Sequence, residues 1–362
     1  TLTRSILASV INFKLSALNL HTHSMEAYTR ASYYTLSKAS VSSMALCAQG
    51  RTGDFVKVGG DERKREVRPL STSDQDSGSP ALIDADCNFL HPDMPSLSSL
   101  VSHESTKKAN IVAYLSPAST LEESEKMLEV LTSFESPPPA QIKTTVGIHP
   151  YHASEAPPLP SLSTKITQFL SDERFKPHIS AVGETGLDYS EGFPPSSVQL
   201  PVFEEQVKVA CAHNVPLFVH TRLAHEDTLS VLTKAKDEYT SLPPVLVHCF
   251  TGTESEVRDY LALGFYIGIT GFINKGYGAE VKDILSRRII PLDRLCIETD
   301  APYMGFDGCR RSYVDSDKEL STKTGKERKK LIKQQYPNVP SSLPLVLKGV
   351  TEALNSNPQP GN

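Results

Sequence analysis

The chain has 362 residues, with 37 Lys and Arg against 42 Asp and Glu for a net charge of −5. That balance supplies no overall basic field, so a nucleic-acid partner has to be held by a local patch or by metal; six cysteines without a C-x-x-C pair argue against a disulfide framework and suit a reducing compartment. No apolar run reaches the roughly 18 residues of a membrane span, which sets a membrane protein aside and leaves a soluble chain large enough for one barrel with an extension.

In chain order, residues 1–53 carry Arg4, Lys14, Arg30, Lys38 and Arg51 against the single acid Glu26, and they open with the amphipathic run SILASVINFKLSALNL. This is the composition of an organelle-targeting segment or of a disordered extension, with cytoplasm or nucleus as the alternative locations. Residues 54–80 are charged and then Ser/Asp/Gly-rich, which reads as a linker. The domain reading is therefore an extension and linker over 1–80 and a folded body over 81–355. The first residue is Thr1 and the tail is the polar NSNPQPGN, so either end reads as a processed or fragment boundary.

From Ala81 short apolar runs alternate with longer amphipathic ones. Strands are expected at ALIDADCN (81–88), NIVAYLSP (110–117), IKTTVGIHP (142–150), ISAVGETGLD (179–188), VPLFVHTR (215–222), PVLVHCF (244–250), FYIGIT (265–270) and RLCIETDAPY (294–303). Helical patterns fall between them at 121–134, 200–214, 225–239, 254–264 and 279–287. Near-continuous apolar strands alternating with helices predict a parallel sheet, and eight such units predict an α/β fold of the (β/α)₈ barrel type. No Gly-rich dinucleotide fingerprint follows the first strand, which disfavours an open doubly wound sheet.

In such a barrel the chemistry sits at the C-terminal strand ends. There the sequence places Glu184 on strand 4, His220 on strand 5, His248 on strand 6, Asp300 on strand 8, His149 on strand 3, and Asp84, Asp86 and Asn88 on strand 1. One such histidine is more often structural than a ligand, but two imidazoles and two carboxylates facing each other across one mouth predict a divalent-metal hydrolase. Imidazoles suit Zn²⁺ and Mn²⁺, and carboxylate or amide oxygens suit Mg²⁺ and Mn²⁺. The strand ends offer no Ser/His/Asp arrangement, and Cys87, Cys249 and Cys296 have no activating pattern, so no covalent intermediate is expected.

The segments GIHPYH (147–152), VGETGLDY (182–189), FVHTRLAHED (218–227), VHCFTG (247–252), YIGITGFI (266–273) and IETDAPY (297–303) resemble the signature set of the TatD family of metal-dependent deoxyribonucleases. The resemblance covers residues 81–350 and implies that Glu184 bridges two metals, that His220 and His248 bind the second, and that Asp300 is a ligand and the base. It further implies that His149, Arg222 and His225 face the phosphate, while Asp188 and Glu298 stand behind the ligands and orient them. The implied activity is hydrolysis of DNA phosphodiesters, from the 3′ end of single strands, with one or two divalent ions, Mg²⁺ first and Mn²⁺ or Zn²⁺ next. The ligand set equally admits another ester or amide, such as an aminoacyl-tRNA ester, or a non-catalytic barrel. Oligomeric state is left open.

Two departures stand out. The family often opens with D-x-H-x-H, whereas this chain has Asp84-Ala85-Asp86-Cys87-Asn88, so Asp86 and Asn88 replace both imidazoles and would soften or weaken the first metal site. Pro337-Asn338-Val339-Pro340 replaces an R-N-E-P stretch ahead of a last helix at 341–354, and the terminal helix that usually follows is missing. His21-Thr22-His23 spells H-x-H in a segment with no preceding apolar run, so it is set aside. Lys323, Lys326, Arg328, Lys329, Lys330 and Lys333, against Glu327, read first as a solvated helix face and second as a phosphate contact.

Overall fold

The computed structural model describes residues 80–136, 138–239 and 242–356. The targeting reading, the linker and the H-x-H at 21–23 lie outside the described residues. Eight strands, β1 (Leu82–Asp84), β2 (Ile111–Ser116), β3 (Gln141–Val146), β4 (Ile179–Asp188), β5 (Leu217–Arg222), β6 (Val245–Val247), β7 (Tyr266–Ile269) and β8 (Leu295–Ile297), follow one another in a single parallel sheet. Beyond the regular ladder, Ala85 N–H donates to Ile297 O (3.3 Å), Asp300 N–H to Asp86 O (2.9 Å) and Asn88 N–H to Ala301 O (2.8 Å), which brings β8 back onto β1 and makes the sheet a barrel.

The main helices are α1 (Leu97–Ser102), α2 (Glu104–Lys108), α3 (Leu121–Thr132), α4 (Leu159–Ser171), α5 (Ser196–His213), α6 (His225–Glu238), α7 (Glu254–Ala262), α8 (Ala279–Ser286), α9 (Arg311–Ser316), α10 (Gly325–Lys333) and α11 (Leu343–Asn355). Their apolar faces close over the strands in one large core, while a smaller cluster of Ala85, Leu115, Ala181, Phe218, Leu246, Tyr266 and Cys296 fills the barrel itself. Among the described residues no helix is long and apolar enough to cross a membrane.

The division into two cores fixes where each strand-end side chain points. On β5, Leu217 and Val219 belong to the outer core and Phe218 to the inner one; on β6, Val245 and Val247 are outer and Leu246 inner; on β8, Leu295 and Ile297 are outer and Cys296 inner. Because side chains alternate faces, the next positions on the inner face are His220, His248 and Glu298. Strands β6 and β8 are shorter than the apolar runs suggest, because the chain leaves the sheet just before its functional residues: Cys249 and Asp300 have left-handed backbone, with φ of 47° and 50°.

Candidate active site

At the end of β4 the backbone carries Glu184 into the barrel mouth. The register with β5 slips between Val182 and Thr185, and Gly186 (φ 138°) sits where a Cβ would collide with the His220 carbonyl. Three imidazoles converge on one Glu184 oxygen, Oε1: His248 Nε2 at 2.7 Å, His220 Nδ1 at 3.2 Å and His149 Nε2 at 3.3 Å. They come from the ends of β6, β5 and β3.

The three imidazoles are not equivalent. His220 Nε2 lies 2.9 Å from Asp188 Oδ2, so the carboxylate accepts the Nε2–H hydrogen bond and the ring turns Nδ1 toward Glu184 and, at 3.2 Å, His248. Asp188 is itself fixed by Gln199, whose amide accepts from Asp188 N–H (2.8 Å) and donates to Asp188 O (2.6 Å). His149 is arranged the other way: Tyr151 N–H donates to its Nδ1 (3.1 Å), which leaves the proton on Nε2, pointing at Glu184. Gln206 holds the turn before it, accepting from Ile148 N–H (2.7 Å) and donating to Ile148 O (3.0 Å). His248 stacks on Phe218, with ring centroids 4.8 Å apart, so the inner core forms the floor of the site.

Beside this group lies a second, formed by Asp86, His248 and Glu298, all buried. Asp86 Oδ2 is 3.1 Å from His248 Nδ1, yet neither atom has a hydrogen-bond partner among the described residues, nor does Glu298 Oε2. Glu298 Oε1 accepts the Cys249 N–H. Asn88 Nδ2 bridges the rim, 3.3 Å from Asp86 Oδ1 and 3.4 Å from Asp300 Oδ1. Asp84 takes a structural place underneath, accepting from Thr299 N–H (2.8 Å) and Thr299 Oγ1 (2.6 Å) and so pinning the T-D step that presents Asp300.

Six carboxylates, Asp84, Asp86, Glu184, Asp188, Glu298 and Asp300, are thus buried at one end of the barrel with three imidazoles. Burial, with Asp300 next in size, drives the Asp86 carboxyl well above its ordinary range; burial also raises Glu298 to about 8 and Asp300 to about 6. Burial acts the same way on Glu184, but His248, His149 and His220 outweigh it and hold that carboxyl well below its usual value. Burial lowers His149, keeping it neutral, whereas at His220 and His248 the neighbouring carboxylates overcome burial and raise the imidazoles. The raised carboxyls are first the mark of burial, with neighbouring carboxylates adding to it at Asp86.

The structure therefore gathers Glu184, His220, His248, His149 and Asp86, with Asn88 and Asp300 held at the edge. Glu298, read from sequence as an orienting residue, is one of the convergent groups. Arg222 is exposed at the end of β5. His225 is turned away: its Nε2 is 3.0 Å from Asp259 Oδ2 and its ring packs edge-on against Tyr260, where it lines an open groove of about 810 Å³ between α6 and α7. Gln199 and Gln206 were not singled out by sequence; the available signal was two glutamines seven residues apart in an otherwise apolar stretch of one helix face.

A family model described as TatD related DNase matches residues 83–359. The 3′-5′ ssDNA/RNA exonuclease TatD of Cronobacter turicensis is 36% identical over 199 residues, which is 55% of this chain and 70% of that protein. The protein of the same name from Pantoea vagans is 38% identical over 162 residues, 44% of this chain and 58% of that one. Among solved structures, the TatD homologue YJJV of Escherichia coli superposes with a TM-score of 0.59 at 24% identity, covering 75% of this chain and 90% of that one. A hydrolase TatD family protein from Entamoeba histolytica does so with a TM-score of 0.57 at 21% identity, covering 76% and 91%. At these identities the structural likeness is one of fold. Since the family match runs from within β1 to past α11 and takes in every strand end that carries the convergent side chains, the chain belongs to the TatD-related DNase family, metal-dependent hydrolases of ester bonds.

Proposed function

We propose that the barrel mouth hydrolyses phosphodiester bonds of single-stranded DNA, working from the 3′ end. The observation that carries this reading is the convergence of three strand-end imidazoles on Glu184 Oε1, one of them backed by a carboxylate and one presenting a proton. The relatives named above, called 3′-5′ exonucleases of ssDNA and RNA, support the choice of substrate.

The residues fit a divalent cation, since Asp86 Oδ2, His248 Nδ1 and Glu298 Oε2 are buried ligand-type atoms without hydrogen bonds and the local carboxylates outnumber the imidazoles. Glu184, His220 and His248 would hold it, and Asp86, Glu298 and Asn88 would offer oxygen donors to a second ion. Oxygen donors at those two positions favour Mg²⁺, with Mn²⁺ and Zn²⁺ compatible with the imidazoles. When bound, the cation polarises phosphoryl oxygens and acidifies water.

The chain's own groups supply the rest. Asp300, aimed by Asn88 and by the clamp between Asp84 and Thr299, accepts the proton of the attacking water at its carboxylate and returns it to the 3′ oxygen that leaves as the P–O bond breaks. His149 would donate an Nε2–H hydrogen bond to a non-bridging oxygen, and Arg222 adds a fixed positive charge at the rim. His225 is engaged with Asp259, so phosphate contact by it requires that pair to open.

The test is digestion of a 5′-labelled single-stranded DNA oligomer with Mg²⁺, with and without EDTA, beside Asp300→Asn. A 3′-shortening ladder abolished by both treatments is the expected result. Absence of cleavage with Mg²⁺, Mn²⁺ and Zn²⁺ alike overturns the nuclease reading and moves it to another ester or amide.

A further inference from the structure

The described residues expose five large hydrophobic side chains, Tyr151, Leu223, Tyr277, Tyr303 and Tyr336, and every one lies in a connection leaving the C-terminal end of a strand. Core packing does not account for such a one-sided distribution, which places apolar surface only on the face that holds Glu184. Two of these rings adjoin the catalytic strand end. Tyr303 follows Asp300 by three residues and is 46% exposed; its ring centroid lies 6.3 Å from that of Tyr336, itself 43% exposed. The Tyr336 hydroxyl donates to Asp93 Oδ2 (2.6 Å), which fixes the ring while leaving a face open.

The segment that carries Tyr336 is fastened to the same strand end. Asn338 N–H donates to Pro302 O (2.7 Å) and Asn338 Nδ2 to Thr299 O (3.0 Å). Immediately before it, α10 presents Lys326, Lys329, Lys330 and Lys333. Their i, i+3, i+4, i+7 spacing puts them on one helix face, and all four are exposed and form no ion pair among the described residues. The other charges of the helix are spoken for, Lys323 by Glu327 and Arg328 by Asp315, and Ile332 anchors the buried side. The lysine stripe spans about 10 Å at the helical rise and ends three residues short of Tyr336.

We propose that Tyr303, Tyr336 and this lysine stripe form a track for the uncleaved part of a single strand, with unpaired bases stacking on the two tyrosines and phosphates running along the lysines. The proposal rests on the nucleic-acid reading above and adds to it the recognition of strandedness: base faces are available for stacking in a single strand and hidden in a duplex. Phosphate contact by the lysines supplies affinity without sequence preference.

Binding of a long 5′-fluorescein-labelled oligothymidylate, followed by fluorescence anisotropy in EDTA, tests the track without catalysis. Replacing the four lysines by Gln is expected to lower the slope of log affinity against log salt by about 0.7 for each lysine lost. Tyr336→Ala is expected to weaken binding about tenfold, in the range of one lost base stack, with Tyr336→Phe restoring it. Lys208→Gln with Lys236→Gln, on outer helices, controls for charge alone, and thermal melting establishes that each variant is folded. An unchanged salt slope in the quadruple variant overturns the track, as do an equal effect from the outer-helix pair, equal losses in the Ala and Phe variants, or equal affinity for blunt duplex. Cleavage of the same oligothymidylate by the parent protein is measured separately; its absence with Mg²⁺, Mn²⁺ and Zn²⁺ overturns the nuclease reading and not the binding track.

Discussion

Asp188 never faces the barrel mouth directly, yet the orientation of His220 depends on it. Its carboxylate accepts the Nε2–H hydrogen bond of His220, and its backbone is gripped on both sides by Gln199, so the imidazole is held with Nδ1 toward Glu184. Asp188→Asn removes the acceptor and presents an amide that can satisfy either tautomer. Loss of such a partner typically costs tenfold to a hundredfold in metal affinity, so Mn²⁺ titration of the variant by calorimetry should show a dissociation constant raised by that factor with the fold intact; an unchanged constant would separate Asp188 from the metal reading. At this scale the sequence was legible in which residues stand at strand ends. His220 and His248 were placed at strand ends by the sequence; their inward direction came with the structure, where each lies two positions beyond an inner-core residue, Phe218 and Leu246. The proton on His149 was not legible, because it is set by the backbone of Tyr151, and neither was the convergence of Glu298, because it depends on how far β8 runs before Asp300 turns into the left-handed region.

Helix α5 shows how an element outside the barrel sets geometry inside it. Gln199 and Gln206, seven residues apart and both buried, each close a two-bond clamp on a strand end, one at Asp188 and one at Ile148. A single helix thereby couples the placement of His220 and His149. Gln206→Leu leaves the Ile148 N–H and C=O buried without partners, which costs about 1–3 kcal/mol for each such group left unmade. Urea unfolding of this variant should show a loss of about 2–6 kcal/mol for the two groups together, and a loss below about 0.5 kcal/mol, the scatter of ordinary surface changes, would mean that the clamp is not structural. Element existence and order were readable from the alternation of strand and helix patterns; α1, α2, α4 and α9 were not named, and the strand lengths were overestimated where functional residues interrupt the ladder. The opposite end of β4 offers a pH test away from the site. Burial, aided by Lys143, lowers the imidazole of His178 below its ordinary value. The unfolded chain therefore binds that proton more readily, so the contribution of this residue to stability is complete above the unfolded pKa near 6.5 and is lost as pH falls through the lower folded value. His178→Asn should flatten the acid-side decline in chemical stability below about pH 6.5, and a decline identical to that of the parent would remove His178 as its source.

At the scale of the molecule, a chain with a net charge of only −5 buries six carboxylates at one end of its barrel, a concentration that the overall composition conceals. The structural cost of that arrangement is carried by the imidazoles, by the Asp84 clamp on Thr299, and by protonation, since burial raises the carboxyls of Asp86, Glu298 and Asp300 and disfavours their charged forms until a cation binds. A ligand that binds the folded barrel and not the unfolded chain stabilises it by about 2.7 kcal/mol at a hundred times its dissociation constant. For a domain of this size that corresponds to a rise in Tm of roughly 5–10 °C. Thermal melts of the EDTA-treated protein with added Mg²⁺, Mn²⁺ or Zn²⁺ should show this shift for at least one ion. Glu184→Gln should abolish it, because the variant keeps the shape of the site but removes the charge on which the three imidazoles converge. A parent protein whose Tm responds to none of the three ions would leave the excess charge without a counterion, and the hydrolytic reading would lose its physical basis. An equal shift in Glu184→Gln would place the bound ion elsewhere on the barrel. The distinction matters because the same cation both relieves the buried charge and supplies the chemistry, so in this fold stability and activity should rise together as metal is added.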